Sequence, residues 1–185
     1  GPEGRVIGLD LDLGAIESAR SRLEAFGARF TGVHAGFHEV ANVLESRGIA
    51  ALDGAVLDLG LRSGQVDDPA RGFSFRFEGP LDMRFDTAGG ERALDLLRRI
   101  SAKQLEEILA TYGEERYCKK LSRGILAAID RGTVETTLDL AELVNKLLGG
   151  RRGKSHPATR TLQALRIAVN RECENLDKAL EDICR

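Results

Sequence analysis

Apolar and polar residues along the first third of the chain fall into blocks that switch between two periods. Arg5-Val6-Ile7-Gly8-Leu9-Asp10 is a short apolar run closed by an acid, the pattern of a buried strand. Over residues 15–26, Ala15, Ile16, Ala19, Leu23 and Phe26 recur on one helical face, and Gly27 closes that helix. Residues 29–34 read as a second strand, which leads through Gly36-Phe37 into a helix over 40–47. Residues 52–57 read as a third strand ending on Asp58. The order β-α-β-α-β predicts a parallel sheet.

Beyond Asp68 the period becomes helical. Ser101 with Gln104 forms a capping-box pattern ahead of Leu105, Ile108, Leu109 and Tyr112 on one face, and a second helix is predicted over 114–131, ending at Gly132. Thr136 with Asp139 starts a third, carrying Leu140, Ala141, Val144, Leu147 and Leu148 until Gly149-Gly150 breaks it. Pro157 suits the first turn of a fourth helix through Asn170, and Leu176, Leu180 and Ile183 mark a last amphipathic segment. The chain therefore reads as α/β with an inserted all-α domain: 1–68 in the α/β part, 69–170 as the helical insertion, and 171–185 as a helix returning to the sheet.

Composition narrows the class. With 185 residues, 42% of them hydrophobic and 30% charged, the chain can bury a core. No run approaches the roughly 20 apolar residues of a membrane helix, no signal-peptide pattern opens the sequence, and the cytoplasm is the default location. Cys118, Cys173 and Cys184 have neither the number nor the spacing of a disulfide framework or zinc site, so all three are expected to be reduced, with no metal bound, and Cys173 and Cys184 to be small buried helix residues. A net charge of −2 confines any nucleic-acid contact to local clusters.

Chemistry gathers at two places. In a parallel sheet, ligands lie beyond the carboxyl ends of the strands, where Asp10, Phe37 and Asp58 fall. A carboxylate after one strand can accept both hydroxyls of a ribose, an aromatic after the next can lie against a purine, and an acid closing a buried strand is costly unless it binds something. Taken alone, Asp10 could equally be a loop acid, with Asp12 the nearer competitor for the helix cap, and Phe37 could be core. The second place is Arg151-Arg152-Gly153-Lys154-Ser155-His156 with Arg160 and Arg166, where positive charge collects at a loop and helix start, as phosphate binding requires. Lys119, Lys120 and Arg123 extend the charge, although such residues often serve solubility alone. Phe73, Phe75 and Phe77 alternate either as an aromatic wall or as one face of a packed strand.

Three stretches carry a resemblance. Residues 57–84 begin Leu57-Asp58-Leu59-Gly60 and end Gly79-Pro80-Leu81-Asp82-Met83-Arg84. They are followed by Tyr112-Gly113-Glu114-Glu115-Arg116-Tyr117 and by the block from His156-Pro157-Ala158-Thr159-Arg160 to Asn170. In this order they resemble the bacterial family that methylates the exocyclic amine (N4) of a cytosine in small-subunit ribosomal RNA with S-adenosylmethionine. The resemblance implies a Rossmann-like methyltransferase sheet with a helical substrate-recognition insertion. It implies Asp10, Phe37, Asp58 and Gln65 as cofactor contacts. Beside that resemblance, the chemistry of a weakly nucleophilic amine makes Asp58, with nearby loop carbonyls, the candidate catalytic acceptor, and the clustered charge makes Arg151, Arg152, Lys154, His156 and Arg160 the preferred RNA contacts over a merely solvated loop. Arg62 stands where the family usually has the first of two serines, and Leu11 and Leu13 replace a basic residue and a proline. The family's glycine-rich loop before the strand at Arg5, and its later strands, are not in the sequence, so an internal portion of a longer protein is expected, binding cofactor weakly or not at all. Two other readings follow from the residues: a non-catalytic RNA-binding or assembly protein, and an NAD-dependent oxidoreductase, against which the phenylalanine-rich loop and basic insertion speak.

Overall fold

The computed structural model describes residues 3–150 and 156–184. Among these residues the chain forms two strands, β1 (Val6–Asp10) and β2 (Phe30–His34), and nine α-helices. The helices are α1 (Leu13–Arg22), α2 (Val40–Glu45), α3 (Ser63–Asp67), α4 (Ala93–Arg99), α5 (Ala102–Gly113), α6 (Cys118–Asp130), α7 (Thr137–Leu147), α8 (Thr159–Asn170) and α9 (Glu172–Ile183). They divide into two compact units.

The first unit contains Gly1–Asp58, Phe85–Ala88 and Glu172–Arg185. Its strands pair in parallel, in step from Val6 opposite Phe30 to Asp10 opposite His34. The helix α1 crosses between them and buries Ile16. Gly32 of β2 lets it come close: a Cβ there would lie 3.0 Å from Ile16 Cγ2, and Arg20 Nη2 donates to the Gly32 carbonyl at 2.8 Å. After α1 the chain tightens into a 3₁₀ segment, Glu24–Arg29, kinked at Gly27 with φ of 53°. On the carboxyl side of β2, α9 packs against α2 and the 3₁₀ turn Phe37–Glu39, burying Ala179.

The third predicted strand is not formed. Residues 52–57 lie outside regular structure, with Val56 94% exposed. A strand exists only with a ladder partner, and among the described residues the sheet ends at β1 and β2. Two cysteine expectations also change. All three thiols are free, but Cys173 and Cys184 are exposed rather than buried, because the buried position of α9 is Ala179 and Cys184 follows the end of that helix; Cys118 is half-buried.

The second unit, Leu59–Arg84 and Gly89–Arg171, holds α3 to α8. Its core is built from Leu105, Leu109, Leu121, Ile125, Leu140, Val144 and Leu165, each 0% exposed. Helix α5 packs on both α6 and α8. Gly113 permits the second contact, since a Cβ there would meet the Arg160 carbonyl oxygen at 2.8 Å. Both predicted capping boxes are present. Thr136 Oγ1 accepts from Asp139 N at 3.1 Å, and Asp139 Oδ2 accepts from the Thr136 and Glu135 N–H groups at 2.9 and 3.0 Å. The sequence reading did not include α4, a seven-residue helix with Ala93, Leu96 and Leu97 buried.

Residues 69–84 of this unit form neither strand nor open loop. The segment folds back so tightly that a Cβ on Gly72, whose φ is +69°, would sit 2.1 Å from the Pro80 carbonyl oxygen, and one on Gly79 would sit 2.0 Å from that of Pro69. Met83 N–H donates to the Arg71 carbonyl, the Met83 carbonyl accepts from Asn170 Nδ2 at 2.7 Å, and Thr137 N–H donates to Gly79 O at 2.9 Å. Asp82 takes a two-pronged pair from Arg84, Nε to Oδ1 and Nη2 to Oδ2, both at 2.8 Å. Burial opposes the ionised form of Asp82, but the Arg84 hydrogen bonds and charge outweigh it and hold the carboxyl below its usual value.

Replacing Leu105 with alanine is expected to cost about 2–5 kcal/mol, read from a urea unfolding midpoint, because the cavity opens among fully buried neighbours. A pH effect is expected at Asp139. Burial raises its pKa, but hydrogen bonds from Glu135, Thr136 N–H and Thr136 Oγ1 bring it below the model-compound 3.8. A depressed carboxyl contributes stability that is complete above the unfolded value and lost as pH falls through the folded one. Asp139→Asn should therefore destabilise by about 1 kcal/mol at neutral pH. Thermal melts should show the gap to the unaltered protein closing at pH values below that unfolded value.

Candidate functional site

The parallel register fixes the first group of predicted residues. Asp10 and His34 are the last paired positions of β1 and β2, so both strands end at the same level. Past that level Asp10 Oδ1 accepts the Asp12 N–H at 2.8 Å, and Asp12 Oδ1 in turn accepts the Gly14 N–H at 2.9 Å. Asp12 is thus the cap of α1, and Asp10 is left with Oδ2 uncommitted among the described residues. Ala35 N–H donates to Asp10 O at 3.2 Å, and His34 Nε2 lies 2.9 Å from the Leu11 carbonyl, so the loop after β1 is tied to the end of β2. The altered Leu11 and Leu13 do not disturb this: Leu13 is 53% exposed and Leu11 is half-buried.

Phe37 opens the 3₁₀ turn three residues beyond β2. It is half-buried and meets His38 edge-on, ring centroids 6.2 Å apart. The turn itself is held by Gly36 N–H donating to Glu39 Oε2 at 2.8 Å. A half-exposed ring beyond one strand end and a carboxylate oxygen beyond its neighbour are the donor set that an adenosine group needs, a flat apolar face and an acceptor for sugar hydroxyls.

Asp58 is placed differently from expectation. It is exposed and follows an exposed irregular segment, so the argument from the cost of burying an acid at a strand end does not apply to it. Gln65 lies in the second unit, within α3, only 5% exposed, and its Oε1 accepts the Arg62 N–H at 3.1 Å. Arg62 occupies the N-cap position of α3 with an exposed side chain.

Of the RNA candidates, Arg151, Arg152 and Lys154 lie outside the described residues. His156 is exposed but fixed: its ring tilts on Phe75 with centroids 4.5 Å apart, and its Nδ1 accepts the Ala158 N–H at 3.2 Å. Arg160 Nη1 donates to the Glu114 carbonyl at 2.9 Å, closing the end of α5, where Glu114 has φ of 48°. The three phenylalanines split: Phe73 is buried under Arg71 at 5.7 Å, Phe75 stacks on His156, and Phe77 is 56% exposed.

Two surface depressions fall elsewhere. One of about 370 Å³ is lined by residues of α1, the 3₁₀ segment and β2, including Arg20, Phe30 and Gly32. The other, about 480 Å³, is lined by Arg116, Tyr117, Lys119, Lys120 and Arg123. Neither includes Asp10, Phe37 or Asp58. From sequence Arg116 and Tyr117 carry only the resemblance of residues 112–117, and no binding role was read from them. The available signal was the run of charges they begin.

No helix among the described residues is long and apolar enough to cross a membrane. Known proteins resemble the chain throughout. It is 48% identical to "Ribosomal RNA small subunit methyltransferase H" of Sorangium cellulosum (strain So ce56), over 97% of this chain and 58% of that protein. Proteins of the same name from Trichlorobacter lovleyi (strain ATCC BAA-1151 / DSM 17278 / SZ) and Thermomicrobium roseum (strain ATCC 27502 / DSM 5159 / P-2) are 46% and 45% identical, each over 97% of this chain and over 58% and 55% of their own length. The chain thus spans little more than half the length of these relatives. A family model matches residues 1–185, end to end, and by that match the chain belongs to the MraW methylase family.

Proposed function

We propose that the protein methylates the exocyclic N4 amine of a cytosine in small-subunit ribosomal RNA, with S-adenosylmethionine as methyl donor. The observation that carries this reading is the pairing of the family match with the uncommitted Asp10 oxygen and half-exposed Phe37 ring beyond two parallel strand ends. The relatives' printed name supplies the RNA class. A ribosomal substrate makes the cytoplasm the site of action. An NAD-dependent oxidoreductase gains nothing from the family match, and a non-catalytic assembly role is the outcome if methyl transfer fails.

Asp10 would hold the ribose hydroxyls through Oδ2 while Oδ1 stays on Asp12 N–H, and Phe37 would lie along adenine. Gln65, by the same resemblance, would meet the cofactor from α3. When bound, S-adenosylmethionine supplies an electrophilic methyl on sulfonium sulfur, so the residues' task is alignment. The cytosine amine is a poor nucleophile because its lone pair is drawn into the ring, and a carboxylate accepting an amine N–H returns density to nitrogen. Asp58 is the residue proposed for that role. The base must leave its stack to be reached, which favours a single-stranded RNA site.

The helical residues 69–170 would form an inserted substrate-recognition domain, with 1–68 and 171–185 building the cofactor half. That the second unit contains helices α4 to α8 and the first both strands supports this division, while the compact units themselves divide after Asp58, so that α3 falls in the helical unit. Arg151, Arg152, Lys154, His156 and Arg160 would bind RNA phosphates, Arg160 while also closing α5.

Methyl transfer from labelled S-adenosylmethionine to small-subunit ribosomal RNA by the full-length protein, of which this chain is expected to be the middle portion, tests the reading, and absence of transfer by that unaltered protein overturns it; the variants that follow are made in the same full-length protein. Asp58→Ala is expected to lower kcat about 100-fold or more with little change in thermal stability. Asp10→Asn keeps the Asp12 contact and loses the charged acceptor, so cofactor affinity should fall about tenfold or more in calorimetry, with RNA affinity unchanged.

A further inference from the structure

The groove at the start of α6 is the strongest unassigned feature. Arg116, Lys119, Lys120 and Arg123 line it together with Tyr117, as an open, shallow depression of about 480 Å³ that suits an extended chain rather than an enclosed small molecule. Its wall is rigidly mounted: the opposite face of α6 buries Leu121, Ile125, Ala128 and Ile129, and Lys120 Nζ donates to the Leu147 carbonyl at the end of α7. Tyr117 is 40% exposed, and its N–H is held by Glu115 Oε1 at 3.0 Å, which turns the nearest acid inward.

The charges here are treated differently from those elsewhere on the same unit. Arg92 and Arg98 pair with Asp95, and Arg99 pairs with Glu91. The side chains of Arg116, Lys119 and Arg123 have no carboxylate or hydrogen-bond partner among the described residues. Lys119 and Arg123 lie four apart on one helix, a like-charge spacing that destabilises it by a few tenths of a kcal/mol. In a chain of net charge −2, four clustered cations with no acid between them form a local field for a polyanion.

We propose that this groove docks the phosphate backbone of single-stranded RNA, with Tyr117 as a stacking platform for one base. Resting on the RNA-directed reading above, this gives that reading a second contact surface besides residues 151–160. Cations spaced along a wall with an aromatic among them are the pattern by which proteins hold single strands without reading sequence. An exposed tyrosine between the cations gives the bases the partner that a purely ionic patch lacks.

The test uses a fluorescein-labelled oligocytidine, its affinity followed by anisotropy across a salt series. Arg116→Ala/Lys119→Ala/Arg123→Ala should weaken binding at least tenfold and lower the slope of log affinity against log salt by about two, at about 0.7 per phosphate lost. Lys120 is left in place because it also ties α7. Tyr117→Ala should weaken binding about tenfold while Tyr117→Phe keeps it. Circular dichroism melting and S-adenosylmethionine affinity should stay unchanged throughout, and Lys119→Glu alone provides a second, milder variant of the same sign. A triple variant with the original affinity and slope overturns the groove, as does Tyr117→Phe binding as weakly as Tyr117→Ala. The two readings part cleanly. Methyl transfer by the full-length unaltered protein with an unchanged slope in the triple variant removes the groove alone, whereas no methyl transfer by that protein with a reduced slope removes the catalytic reading and leaves the groove standing.

Discussion

Where each peptide group finds its hydrogen-bond partner determines the form of this chain. In the first unit the demand is met by a five-residue parallel ladder, and that ladder alone brings Asp10 and His34 level. Everything proposed about the cofactor end follows from this level: the Asp12 N–H takes one oxygen of Asp10, the Ala35 N–H takes its carbonyl, and Phe37 begins its turn at a fixed distance along the chain. Among the described residues of the second unit no ladder exists beyond an isolated bridge of Pro80 with Thr136, and the same demand is met by helices and by a loop that bonds to itself.

That loop is an economical way to carry a polar sequence through a helical core. Gly72 and Gly79 let carbonyls come closer than any side chain would allow, and the Asp82–Arg84 pair holds the residues that follow them. The polar richness of residues 69–84, which from sequence looks like a ligand site, is in large part consumed by the loop's own backbone. Arg71 Nη2 donates to the Arg84 carbonyl and Arg84 Nη1 to that of Gly89.

Local signals were the legible ones. The boxes Ser101 with Gln104 and Thr136 with Asp139 are read within four residues and form as expected, because a cap needs nothing from the rest of the chain. The strands β1 and β2 were legible because an apolar run, a helix and another apolar run specify one another. Residues 52–57 carry the same apolar signal, yet a strand is a property of two segments, and a single sequence does not say whether the second is at hand. The short α4 was missed because seven residues give barely two turns of periodicity. The groove at Arg116 and Tyr117 was missed because it joins a loop to a helix face, a proximity no linear spacing expresses.

Gly113 has a consequence for how variation can spread through this protein. Its Cα lies against the backbone of α8, so the side chain is excluded by a carbonyl, an obstacle that no rotamer change elsewhere can move aside. One residue later, Glu114 offers its own carbonyl to Arg160. A mutation at 113 would therefore not stay a packing defect: parting the two helices also lengthens the reach of Arg160, one of the residues proposed to bind RNA. Position 113 and position 160 should behave as a single heritable unit, in which drift at the first is felt as altered function at the second.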